Sequence, residues 1–198
     1  MTGSPWTLRI PVAMVFLTGA AALVYELAWT RWLTLLLGAG TQSLAVITAS
    51  TMLGFALGAA LLSPRIDRAR LPLRVYGALE VAIGLSAAVV SWVLRAGTTA
   101  AWSAALPRPA LVVLVLALVG VPTAFMGATL PALVAHVTRR SADAMRGGIS
   151  ALYASNTAGA VLGTLAAGFF LIEHVGYTAA ALLGVSINLI VGATAMVF

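Results

Sequence analysis

Apolar stretches long enough to cross a bilayer recur along the whole chain, at about residues 10–36, 43–63, 73–95, 109–136, 147–172 and 177–198. A hydrocarbon core of about 30 Å needs about 20 residues of helix. Inside lipid the backbone must satisfy its own hydrogen bonds, which confines such stretches to helices. Their apolarity runs around all faces, as in spanning helices and unlike surface-lying amphipathic ones. The chain therefore reads as an all-α integral membrane protein with six transmembrane helices in a single transmembrane domain, 1–198. Only 8% of its residues are charged, against about 25% in a soluble domain. Gly38, Gly40, Pro64, Pro72, Pro107, Pro109 and Gly176 punctuate the joins.

The charge follows the same plan. All eleven basic residues are arginine, and the net charge is +6. A basic chain invites nucleic acid as a partner. Here the arginines fall in short loops between apolar segments, which is what membrane topology demands, so no nucleic-acid partner is expected. With the N-terminus inside, Arg9, Arg65, Arg68, Arg70, Arg74, Arg139, Arg140 and Arg146 lie inside, against Arg31, Arg95 and Arg108 outside. Eight against three predicts a multi-pass protein of a bacterial cytoplasmic (inner) membrane with both termini cytoplasmic and lipid as its surroundings. The first apolar segment is not expected to be a cleaved signal: only Arg9 precedes it, and it lacks a clear cleavage site. There are no cysteines, which excludes disulfides and thiolate chemistry. His136 and His174 are too few to make a metal site. No metal, cofactor or covalent catalyst is expected.

The chain also resembles itself. Gly19 to Arg31 matches Gly127 to Arg139 at an offset of 108. Gly54 and Gly58 match Gly159 and Gly163 at 105, and Glu80 with Gly84 matches Asn188 with Gly192 at 108. The unit holds three helices, so the second copy is inverted. Repeat A spans about 10–95 and repeat B about 109–198. Two inverted three-helix repeats make half of a major facilitator fold.

Ionisable residues within spans are the candidate functional groups, because a carboxylate at the bilayer centre costs roughly 2.5–3.5 kcal/mol. Glu26, with Tyr25 and Trp29 beside it, reads either as a carboxylate that binds a cationic substrate or a proton, or as a polar lock between helices. Glu80 reads the same way, or as the partner of Arg68 or Arg74. Asn188 is its repeat mate, and Asn156 lies in the fifth span; both read as lining the same interior or as interhelical glue. Asp67 and Arg68 read as a cytosolic gate or a simple anchor. Gly54, Gly58, Gly159 and Gly163 form small-xxx-small packing faces, on which a partner helix is expected.

Four segments together resemble a known family: FLTGAAALVYELAWTR at 16–31, the glycine helix from Gly54 running into Pro64 to Arg68, MGATLP at 126–131, and LYASNTAGAVLG at 152–163. They are similar to the N-terminal membrane domain of the membrane-bound spermidine synthase-like proteins. The resemblance implies a facilitator-like membrane region that precedes a soluble aminopropyltransferase domain. The chain carries no glycine-rich cofactor loop with an acidic ribose ligand. The expectation is therefore a module that is not an enzyme. It would transport or present a small cationic substrate such as a polyamine, as a homodimer or with a partner. The alternative is a structural or scaffold subunit of a larger membrane complex.

Overall fold

A computed structural model describes residues 6–38, 40–139 and 144–198, so Arg140, one of the inside arginines, lies outside it. The described residues hold helices and no strand: α1 (Trp6–Leu37), α2 (Thr41–Ile66), α3 (Pro72–Gly97), the short α4 (Ala101–Ala105), α5 (Arg108–Thr138), α6 (Ala144–Ala166), a π-helical turn (Ala167–Leu171) and α7 (Ile172–Val197). Five stretches are long and apolar enough to cross a membrane. The last, Gly147–Val197, holds 51 residues and would measure about 77 Å if straight, more than twice the hydrocarbon core. It breaks at Gly176, whose φ of 78° and ψ of 167° are non-helical and open essentially to glycine alone. Six apolar helical spans result.

Two joins differ from the sequence expectation. Pro64 does not end α2, which continues to Ile66. The fifth span runs into a π turn before the break at Gly176, where the sequence suggested an end near residue 172. One-turn π segments interrupt α-helices without stopping them, and a pattern of apolar residues carries no mark of one.

The helices pair as α1 with α6, α2 with α5, and α3 with α7. Glycine permits these approaches. A Cβ on Gly58 would overlap the Ala124 carbonyl of α5, and one on Gly159 would overlap the Phe16 carbonyl of α1. Gly54 meets Thr123 and Gly163 meets Ala20 in the same manner. These four glycines therefore pack inside this chain, where the sequence reading placed a partner helix. Gly77 faces Gly192 across the α3–α7 pair, and Gly84 faces Val185.

The core forms two apolar layers. One gathers Trp29, Trp32, Leu33, Leu94 and Val115 towards the α4 end of the bundle. The other gathers Met14, Ile66, Tyr76, Leu133 and Leu152 towards the end that carries the α2–α3 turn. At that end Arg139 donates to the carbonyls of Ala69 and Asp67, which ties the end of α5 to the turn. The outer surface carries exposed Leu53, Leu57, Trp92, Phe169, Leu182 and Ile190, the side chains that lipid would cover.

Candidate functional site

Glu80 sits between the two core layers, on α3 one turn beyond Tyr76, and is fully buried. Its Oε2 accepts a 2.5 Å hydrogen bond from Asn188 Nδ2 on α7. Asn188 is held in that orientation from its other side, because the Tyr25 hydroxyl of α1 donates to its Oδ1 at 2.8 Å. Three helices thus meet in one chain of side chains, Tyr25 to Asn188 to Glu80. Tyr76 and Thr18 lie beside the carboxyl and share a contact of 3.3 Å with each other. Glu80 Oε1 nevertheless has no hydrogen-bond partner of acceptable geometry.

An unpartnered oxygen on a buried carboxyl is costly unless something meets it. Glu80 is among the residues that line a cavity of about 440 Å³. Glu80, Asn188, Asn156, Thr18, Thr129 and Thr157 supply the polar part of the wall. Phe55, Ile83, Met126 and Leu130 supply apolar wall. Among the described residues, no basic side chain lines it. The arrangement offers a negative or acceptor end in an otherwise apolar chamber, which suits a small ligand with a donor group at one end.

The sequence candidates divide on this geometry. Glu80, Asn188 and Asn156 come together at the cavity. Glu80 is bound to Asn188, where the sequence reading offered Arg68 or Arg74 as its partner. Tyr25 and Trp29 are core residues. Their rings stack at 5.2 Å and 12°, both are buried, and Trp29 Nε1 donates to Ser91 Oγ at 3.0 Å. Tyr25 is therefore held in the core, with its hydroxyl on Asn188. Glu26, the residue after Tyr25 on α1, is half-buried, and its backbone carbonyl accepts the Thr30 hydroxyl. Asp67 and Arg68 lie at the α2–α3 turn and are not among the residues that line the cavity, and Asp67 contributes a backbone carbonyl to Arg139.

Sequence reasoning missed Thr18, Tyr76 and Ser91. Tyr76 stands four residues before Glu80, on the same face, so its place beside the carboxyl was open to inspection. Thr18 and Ser91 come from the crossing of α1 with α3, which no local pattern encodes.

Comparison with known proteins bears on the same residues. The chain is 32% identical over 187 residues to polyamine aminopropyltransferase 2 of Streptomyces coelicolor, which covers 92% of this chain and 32% of that protein. It is 33% identical over 192 residues to the polyamine aminopropyltransferase of Corynebacterium efficiens, which covers 93% of this chain and 34% of that protein. The chain thus spans about a third of the length of the curated relatives it matches. No family model matches it, and no solved structure does. These matches correct the expectation that the module is not an enzyme. That expectation rested on a missing soluble signature, whereas nearly the whole bundle is similar to proteins named as transferases.

Proposed function

We propose that this bundle is the membrane-embedded part of an aminopropyltransferase-type enzyme, and that its cavity receives a cationic amine at Glu80. The observation that carries the reading is the Glu80 carboxyl itself: fully buried, with Oε1 unpartnered among the described residues, in the wall of a chamber that no described cation lines. A protonated amine would supply the missing charge and the missing donor together. The names of the two relatives attach polyamine chemistry to proteins about three times as long as this chain. The bundle's part is to hold the amine out of bulk water.

The test compares two ligands of one length. Thermal unfolding of the chain in mild detergent is followed with butylamine and with butanol. Butylamine raises the midpoint and butanol does not, and Glu80→Gln removes the difference. Equal protection by both, or protection that survives Glu80→Gln, would show that the carboxyl does not select the ligand.

The fold belongs to the same reading, as two inverted three-helix repeats. The crossings support a two-fold relation that exchanges α1 with α5, α2 with α6, and α3 with α7. Gly19 packs on Asn156 as Gly127 packs on Phe55, and Gly58 packs on Ala124 as Gly159 packs on Phe16. Both pairs give offsets of 108 from α1 to α5 and 101 from α2 to α6. Gly58 thus corresponds to Gly159, one helical turn from the match of Gly54 with Gly159 made on sequence. Gly77 on Gly192 and Val185 on Gly84 give 108 from α3 to α7. Glu80 and Asn188, related by the same 108, are bonded to each other, as groups on a two-fold axis would be.

Inverted topology with cytoplasmic termini makes a direct prediction about labelling. The chain has no cysteine of its own. A cysteine placed at Thr98, beside α4, reacts in intact cells with a membrane-impermeant maleimide, and one placed at Ala69 reacts only after permeabilisation. The opposite pattern would reverse the orientation.

A further inference from the structure

A second concavity, a groove of about 560 Å³, runs between α2 and α5. Leu53, Leu57 and Leu61 of α2 line one side, and Val113, Ala117 and Val121 of α5 line the other. Phe55 and Ala59, about half a turn round α2 from those leucines, line the Glu80 cavity instead. Among the described residues, every side chain that lines the groove is hydrocarbon. Gly120 contributes no side chain, and a Cβ there would meet nothing within 4 Å. The three leucines recur every four residues, and Arg65 stands four beyond Leu61. Its exposed Nη1 donates to the Leu61 carbonyl at 2.6 Å, which holds the guanidinium at the α2–α3 end of the groove.

We propose that this groove holds one acyl chain of an anionic phospholipid whose phosphate is bound by Arg65. From Arg65 to Leu53 is about 18 Å along the helix, just over half of a hydrocarbon core of about 30 Å. That is the reach of a chain anchored in one leaflet. Spread over that length, the groove is about 6 Å across, narrower than a helix with side chains at about 10–12 Å. It therefore fits a hydrocarbon chain and not a helix of a second copy. A guanidinium has five N–H donors in a planar fork, and the bond to Leu61 takes one of them, so the group can also meet a phosphate. The α2–α3 end exposes Arg65, Arg68, Arg70 and Arg74 against Asp67, which favours a headgroup of net negative charge. The site is separate from the amine cavity and does not depend on it.

Native mass spectrometry of the detergent-purified chain, given phosphatidylglycerol and phosphatidylcholine in equal amounts, reads the selection. One phosphatidylglycerol per chain is retained in about tenfold preference, as one charge-assisted contact implies. Arg65→Gln abolishes the preference. Arg74→Gln removes the same charge from a residue that lines a different pocket with His136 and Arg139, and keeps the preference. Gly120→Leu and, independently, Ala117→Leu fill the groove and lower the retention of both lipids, with circular dichroism unchanged. Equal retention of the two lipids by the parent chain, or an equal loss of preference in the Arg65 and Arg74 variants, would overturn the phosphate site. Lipid retention that survives both groove-filling variants would overturn the acyl site. A dimer that persists without lipid and is lost on filling the groove would assign the groove to a second copy and overturn the proposal.

Discussion

Gly58→Ala prevents α2 from closing on α5, whereas Gly120→Ala, on the facing helix, is tolerated. The contrast follows from what a methyl group would meet. At Gly58 it would overlap backbone atoms of Ala124, namely the carbonyl oxygen, the carbonyl carbon and Cα. Backbone cannot rotate aside as a side chain does, so the two helices must separate along their length and give up contacts beyond the point of the clash. Overpacking typically costs 1–3 kcal/mol, and a backbone clash at a helix crossing belongs at about 3 kcal/mol or above. At Gly120 a Cβ would meet nothing within 4 Å, and alanine is the better helix former by up to about 1 kcal/mol. Unfolding titrations of both variants in mild detergent read the difference. Equal stabilities would mean that α2 and α5 do not approach as closely as described. The mirror substitution Gly159→Ala, against the Phe16 carbonyl, tests the α1–α6 crossing independently and carries the same expected loss.

The spans were legible in the sequence because lipid imposes one requirement on every residue of a segment, and composition alone reports it. The break near Gly176 was legible for a related reason: an apolar run of 51 residues cannot stay straight inside a bilayer, and glycine is the residue that permits the turn. The correspondence of Glu80 with Asn188 was visible as an offset of 108. That the two are bonded was not visible, since it depends on how α3 and α7 face each other. Tyr25 and Trp29 stand apart from Glu26 for a physical cause. Sequence places them next to Glu26, but successive residues on a helix point about 100° apart. Tyr25 turns into the core against Asn188, while Glu26 is left half-buried. On the proposed two-fold relation the α2–α6 match lies one turn from the match made on sequence, because glycines spaced four apart look the same from either member. Only the contacts with α1 and α5 decide which glycine corresponds to which.

The polar junction itself makes the second large prediction. Asn188→Leu removes the donor to Glu80 Oε2 and leaves a fully buried carboxyl with only Tyr76 and Thr18 beside it. A buried group stripped of its partner loses about 1–3 kcal/mol, and a charged one more, so the expected cost is about 3 kcal/mol. Glu80→Leu strands the Asn188 amide nitrogen but removes the more demanding group, and costs about 1–2 kcal/mol. The double variant Glu80→Leu/Asn188→Leu removes both partners and fills their volume with methyl groups. Paired replacement of this kind is nearly neutral in many buried sites, so the double variant is expected to be more stable than Asn188→Leu alone. Tyr25 then has only its hydroxyl left to satisfy, and Tyr25→Phe, which costs about 1 kcal/mol in the parent chain, becomes harmless in that background. The four-cornered cycle is measured by unfolding titration in one detergent. A coupling of about 2 kcal/mol marks the Glu80–Asn188 contact as a true pair. Costs that add to within about 0.5 kcal/mol would mean that the two side chains act separately. In that case the carboxyl would have to find its donor elsewhere, and the Asn188 contact would not be what holds Glu80 in place.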